Sequence, residues 1–336
     1  MPVMNRQWIL ARRPVGDIAA GDLELREAPI PEPAEGEFLA RTIYLSLDPT
    51  NRIWMSDQDQ YMPPVNIGEV MRGGTLGVVE RSRHPGFKPG DIVSGIGGWQ
   101  DYALAHVAQK LPAQANLPLP AYMSVMGMTG ATAYFGLLDI GKPQAGETLV
   151  VSAAAGAVGS IVGQLGKFKG CHVVGIAGSD QKCRHVVEDF GFDVCLNYRN
   201  ASFAQELSAA CPRGIDIDFE NVGGTILDDI LARINLRARI VLCGLIASYN
   251  AQNPVPGPYN FAQLLMKRAH LEGFIVSDYM RRMKEFWNEM SGWVESGQIK
   301  YDVTIVRGLE QAPDALKLLF TGGNTGKLLL QLSDEP

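Results

Sequence analysis

The chain has 336 residues, 46% of them apolar and 20% charged, with a formal net charge of −6. That length exceeds one typical core and implies two domains, and the acidic balance excludes a surface built to neutralise nucleic-acid phosphates. Five cysteines and five histidines, scattered and without a CxxC pair, give neither a disulfide framework nor a metal site, which suits a cytoplasmic protein. No apolar run follows the basic pair Arg12-Arg13, so no secretory leader is expected.

In chain order, residues 1–122 are rich in turn signals, such as Pro29-Ile30-Pro31, Gly73-Gly74 and Lys88-Pro89-Gly90-Asp91. Between them lie short β-prone runs at 38–45, 75–80 and 91–94, which predict a compact, barrel-like β domain. After residue 122 a helical stretch follows, and from 147 strands and helices alternate. The strand-like runs are LVVSA, CHVVGIA, DVCLNY, IDIDFENV, ARIVLCG and LEGFIV, with helical segments at 180–189, 203–210 and 225–234. Apolar strands separated by helices imply parallel βαβ units and an α/β doubly wound sheet. An amphipathic helix at 281–296 precedes short strands at 302–307 and 326–332, which return to the first domain. The expected domains are therefore 1–122 plus 300–336, and 123–299.

The charge-free run at 148–166 has the length of a membrane span. Its Ala, Gly and Ser bring little transfer energy, however, so the run reads as a strand at 149–152, a small-residue turn and a helix from about Val158. The turn, Ala154-Ala155-Gly156-Ala157-Val158-Gly159, has dinucleotide-fingerprint spacing with Ala in the first position. Gly156 lets backbone amides approach a pyrophosphate and Gly159 lets helix pack on strand, while the helix start supplies N–H groups to the anion. About twenty residues on, no carboxylate closes the second strand. Ser179 and Lys182 follow it instead and suit the 2′-phosphate of NADP; Asp180 reads as a helix-capping residue.

With these strings in place, the chain resembles the zinc-independent medium-chain dehydrogenase/reductases, within them the prostaglandin reductase and alkenal double-bond reductase group, and most of all its bacterial curcumin reductase-type members. The resemblance rests on SLDPTNRIWM (46–55), MTGATAYFGLLDIG (128–141), AAAGAVGS (153–160), AGSDQK (177–182), FENVGG (219–224), CGLIASYN (243–250) and GNTGK (323–327). It implies a GroES-like, partly open β-barrel domain beside a Rossmann cofactor domain. The implied reaction is NADPH-dependent reduction of a carbon–carbon double bond conjugated to a carbonyl, with hydride to the β-carbon and an enolate stabilised and then protonated. The resemblance assigns Lys182, Ser179 and Tyr198 to the adenosine phosphate and Ala155, Gly156, Ala157, Val158 and Gly159 to the pyrophosphate. Asn221 and Asn324 fall on other parts of the cofactor. Cys243, Gly244, Ile246, Ser248 and Tyr249 fall on its nicotinamide half, with Met128, Thr129, Phe274 and Val276 close by. Tyr249 is the implied catalytic residue. Asn51, Tyr61, Tyr249 and Tyr259 are the expected cleft residues, and Thr50 stands where the family often has an aromatic.

A metal is not expected, because hydride addition to an enone lets the conjugated carbonyl spread the charge that a Lewis acid otherwise stabilises. Two other readings stay open at this point: a quinone oxidoreductase on the same fold, and a non-catalytic NADPH-binding protein. The expected partner is a small enone or enal, with no nucleic acid and no membrane. The apolar sixth-strand run at 271–276 and the resemblance together imply a homodimer.

Overall fold

The structure is a computed structural model and describes residues 4–111 and 116–336. The chain divides into two compact units: Met1–Met123, Thr304–Asn324 and Leu328–Pro336 form one, and Ser124–Val303 with Thr325–Lys327 the other. In the first unit, β1 (Met4–Leu10) and β2 (Leu23–Pro29) make an antiparallel pair. The strands β3 (Phe38–Ser46), β4 (Gly74–Ser82), β5 (Ile92–Ile96), β6 (Tyr102–Ala105) and β7 (Gln109–Lys110) build a larger antiparallel sheet. Its register shifts within the β3–β4 pair, and such irregularities increase twist and curl a sheet toward a barrel.

The second unit holds β8 (Thr148–Val151), β9 (His172–Ala177), β10 (Val194–Asn197), β11 (Ile215–Glu220), β12 (Ile234–Leu242) and β13 (His270–Gly273). They pair in the order β10-β9-β8-β11-β12-β13, all parallel. This is the doubly wound order of two mononucleotide-binding halves, with the switch point between β8 and β11. Burial explains the apolar runs: β8 is buried throughout, as a central strand covered on both faces must be. The helix Gly159–Phe168 follows it. At Gly163 a Cβ would overlap the ring of Phe192, so only glycine permits that helix to lie so close. A core of Val150, Val174, Ile176, Ile240, Leu207 and Ile230 fills one face of the sheet.

The chain then re-enters the first unit through β14 (Val303–Arg307) and β15 (Lys327–Gln331), and β15 pairs antiparallel with β3. Between them, helix Ala312–Thr321 contributes Ala315 and Leu316 to a core with Leu45, Trp54, Trp99 and Leu330. The Trp8 indole donates to the Leu309 carbonyl at 2.8 Å and fixes that return.

The fold class is the α/β class expected. No described helix is long and apolar enough to cross a membrane.

Candidate functional site

The exits of β8 and β11 are tied together. The amide of Asn221 donates to Ser152 Oγ at 2.7 Å, and its carboxamide donates to the Ser152 carbonyl at 2.8 Å. From Ser152 the chain bends through Ala153, which takes a left-handed φ of 51°, and Ala154 donates to the Ile176 carbonyl at 2.9 Å. The first intrahelical bond runs from Ser160 to Gly156. The amides of Ala157, Val158 and Gly159 therefore precede the helix with no acceptor among the described residues. A Cβ at Gly159 would collide with the Ala153 carbonyl. The turn is thus a closed loop of small residues with N–H groups and the positive helix end at its rim. Gly326 bridges Gly156 and donates to the Ala155 carbonyl at 2.8 Å, so the GNTGK string touches this same turn.

A second cluster lies past β9. Ser179 caps the helix Asp180–Phe190 by accepting from the Lys182 amide at 3.3 Å, leaving its hydroxyl proton to donate. The Tyr198 ring lies along Gly178, where a Cβ would stand 3.2 Å from it, and the Arg199 guanidinium sits 5.8 Å from that ring. Burial, and the positive charge of Arg199 nearby, pull the Lys182 ammonium below its ordinary value. Two cations held close enough to disfavour one another form a receptor for a dianion. Asp180 is engaged elsewhere, accepting from Asn197 at 2.8 Å. Sequence reading missed Arg199; the signal available was its position directly after Tyr198.

The third cluster is the loop leaving β12. The Cys243 and Gly244 amides donate to the Glu220 carbonyl at 2.9 and 3.1 Å, and Ile246 and Ala247 donate to Asn221 and Val222 at 3.3 and 3.0 Å. The Ser248 hydroxyl donates to the Leu245 carbonyl at 2.8 Å. Tyr249 turns back over the loop so that its oxygen accepts from the Leu245 amide at 3.0 Å. Accepting that bond polarises the phenol and makes its own O–H a stronger donor. Met128 is exposed at the start of helix Met128–Phe135, and Thr129 donates to the Ser124 carbonyl at 3.0 Å. Phe274 packs its ring against Gly136, Phe219 and Tyr279, which leaves its backbone, with the half-buried Val276, for any ligand.

Beneath the loop lie two carboxyls the sequence reading did not single out. Asp218 and Glu220 are both fully buried on β11, and both Asp218 oxygens lack a partner among the described residues. Burial, with Glu220 adjacent, pushes the Asp218 carboxyl well above its usual range. Burial raises Glu220 as well, opposed by hydrogen bonds from Gly223 and Ser152.

In the first unit, Asn51 is 1% exposed, its oxygen accepts from the Asp48 amide at 2.7 Å and its nitrogen donates to the Arg72 carbonyl at 3.3 Å. Tyr61 is half exposed, and its hydroxyl is hydrogen-bonded to that of Thr50, the residue standing in the aromatic's place. Asn324 belongs to the first unit and immediately precedes the segment that meets the phosphate turn. Tyr259, in the second unit, is 90% exposed.

Comparison with known proteins adds the family. Residues 6–112 match a family described as the N-terminal domain of oxidoreductase, and 157–295 one described as zinc-binding dehydrogenase. Among the described residues no three His, Cys, Asp or Glu side chains are grouped to hold a metal. The NADPH-dependent curcumin reductase of Escherichia coli is 48% identical over 98% of each chain. The NADP(+)-dependent 2-alkenal reductase of Nicotiana tabacum is 38% identical over 99% of each. The crystal structure of CurA from Vibrio vulnificus in complex with NADPH superposes with a TM-score of 0.93 at 49% identity, covering 98% of this chain and 100% of that one. The chain belongs to the medium-chain dehydrogenase/reductase family, in the group that includes the curcumin, alkenal and prostaglandin reductases.

Proposed function

We propose that the protein is an NADPH-dependent reductase of carbon–carbon double bonds conjugated to a carbonyl. The observation that carries the reading is the Tyr249 hydroxyl, held by the Leu245 amide in the loop leaving β12, at the same strand edge as the phosphate turn. The cofactor is NADPH, and the residues fit it. The amides of Ala157, Val158 and Gly159 hold the pyrophosphate, and Ser179, Lys182, Tyr198 and Arg199 hold the 2′-phosphate. Asn221 and the loop around Cys243, Gly244, Ile246 and Ser248 bound the nicotinamide half, with Met128 and Thr129. Bound NADPH supplies a hydride for the β-carbon of the substrate.

Tyr249 then acts on the substrate oxygen. As charge moves onto the carbonyl, the phenol donates a hydrogen bond to the developing enolate, a stabilisation worth most where the donor is fixed beforehand. Enone reduction requires no metal in this scheme, because conjugation distributes the charge. The substrate class is an α,β-unsaturated aldehyde or ketone, and the group's curcumin and alkenal reductases support that choice. The working form is a homodimer, supported by the exposed edge strand β13. The five unpaired cysteines support a cytoplasmic setting.

The test follows NADPH absorbance with a panel of 2-alkenals, a curcuminoid and a simple quinone. Turnover of the alkenals with a saturated carbonyl as product supports the reading. Quinone turnover alone makes the protein a quinone oxidoreductase, and tight NADPH binding with no turnover makes it a binding protein.

A further inference from the structure

Two of the five thiols line one cavity in the cofactor unit, and the reaction above uses neither. Cys183 stands in the first turn of the helix Asp180–Phe190, directly after Lys182. Cys195 lies on β10 and pairs with Gly175 of β9. The missing side chain at Gly175 leaves room for the sulfur, since a Cβ there would stand 3.2 Å from Cys195 Sγ. Each thiol is the largest influence on the ionisation of the other. Both line an open cavity of about 320 Å³, with Asp180, Arg184, Glu188 and Asn197 also on its wall. A small solute therefore has access to the pair.

The pair is chemically asymmetric. The Cys195 thiol holds Cys183 below the ordinary thiol value, and Cys183, with burial, pushes Cys195 upward. Burial raises the remaining thiols, Cys171 and Cys211 to about 11 and Cys243 to about 12. Cys183 is thus the thiol that ionises first, and the thiolate is the nucleophile.

We propose that Cys183 and Cys195 form an oxidation-sensitive dithiol that closes to a disulfide on reaction with a hydroperoxide and thereby weakens the hold on the nucleotide 2′-phosphate. The Cys183 thiolate attacks the peroxide; an S–O bond forms, the O–O bond breaks, and the departing oxygen takes up a proton to leave as water or an alcohol. The Cys195 sulfur then attacks the Cys183 sulfenic acid, forming the S–S bond and releasing a second water. Two thiols are oxidised to one disulfide and one peroxide is reduced. Closing the two sulfurs to the bonded separation of about 2.05 Å draws the first helical turn toward β10. Lys182, with the Ser179 cap, moves with that turn, and this consequence rests on the NADPH reading.

The full-length, reduced protein is treated with equimolar hydrogen peroxide, and its peptides are mapped without reduction. The expected product links the Cys183 peptide to the Cys195 peptide and is reversed by dithiothreitol. Cys195→Ser should accumulate a dimedone-reactive sulfenic acid at Cys183, whereas Cys183→Ser should leave Cys195 as a thiol. Free thiols at both positions after oxidation, or a bond from Cys183 to any other cysteine, overturns the proposal. Oxidised wild type should bind NADPH about tenfold more weakly, the loss of one charge-assisted hydrogen bond, with NADH unchanged and recovery on reduction. A complete disulfide with NADPH affinity intact overturns the coupling. If reduced wild type already binds NADH and NADPH alike, the cofactor reading fails while the disulfide result stands.

Discussion

Lys182 is half-buried, and the positive charge of Arg199 nearby disfavours its ammonium, a cost that an anion bound beside both would relieve. Lys182→Ala and Arg199→Ala should each lower the NADPH-to-NADH ratio of kcat/KM. The expected loss is about ten- to hundredfold, the scale of one charge-assisted contact, and less at high salt. NADH kinetics should barely change, because NADH carries no 2′-phosphate. A wild type that prefers NADH would mean that Asp180 reads the ribose instead. At Tyr249 the prediction concerns rate: Tyr249→Phe keeps the ring and removes the donor, and turnover of an enone should fall about ten- to a thousandfold. NADPH affinity should stay close to wild type. Unchanged turnover on several enones removes Tyr249 from the mechanism. These residues differ in how far the sequence exposed them. Ser179, Lys182 and Tyr198 stand in recognisable strings, but Arg199 gains its meaning only when the ends of β9 and β10 lie side by side. Asn51 sits in an equally recognisable string, and its carboxamide is engaged by Asp48 and Arg72.

At the scale of elements, the helix after β8 depends on close approach. Gly163→Ala should destabilise the protein by roughly 1–3 kcal/mol, the cost of overpacking a filled core. The gain of up to about 1 kcal/mol in helix propensity is too small to offset it. Thermal or urea unfolding checks this, and a variant as stable as wild type would show that the Phe192 ring can move aside. The strand β11 makes a pH prediction. Its Asp218 carboxyl is raised by burial and by Glu220, so the folded chain keeps a proton that the unfolded chain releases near its ordinary pKa of about 3.9. The unfolded state then binds fewer protons, and stability falls as pH rises above that value. Asp218→Asn preserves shape without an ionisable group, so its urea midpoint should gain on wild type as pH rises above that value. Parallel pH profiles for the two proteins would falsify this. The run IDIDFENV reads as one of the apolar strands of the parallel sheet, yet its carboxyls alternate with its apolar residues. That the polar face is buried follows from β11 lying between β8 and β12 with helices on both sides, which no local pattern records. β1, β2, β6 and β7 are similarly hard to read: β1 is only partly buried, β2 is largely exposed, and β7 has two residues. The predicted sixth strand also ran too far, because Phe274 leaves the sheet to pack on Gly136.

At the scale of the whole molecule, the α/β alternation was the most legible feature, since parallel strands need both a buried apolar run and a helix to return. The same logic leaves β13 as an anomaly. All four of its residues are exposed, although it ends a sheet whose other strands are largely covered. Close to it in sequence, Phe261, Leu265 and Met266 are 60, 73 and 60% exposed, and Leu271 on β13 itself is 36% exposed. An open edge strand beside exposed apolar side chains invites pairing with another chain. A second copy related by a two-fold axis satisfies both features at once, because the same edge and the same patch meet themselves. Light scattering at micromolar concentration should therefore give twice the chain mass, and a monomer mass would count against the arrangement. Leu265→Arg places a charge in the patch without touching the phosphate turn or the Tyr249 loop. It should shift the protein toward monomer while leaving its secondary structure intact by circular dichroism. If that variant stays dimeric, the interface lies elsewhere, and β13 is an edge protected by some other means.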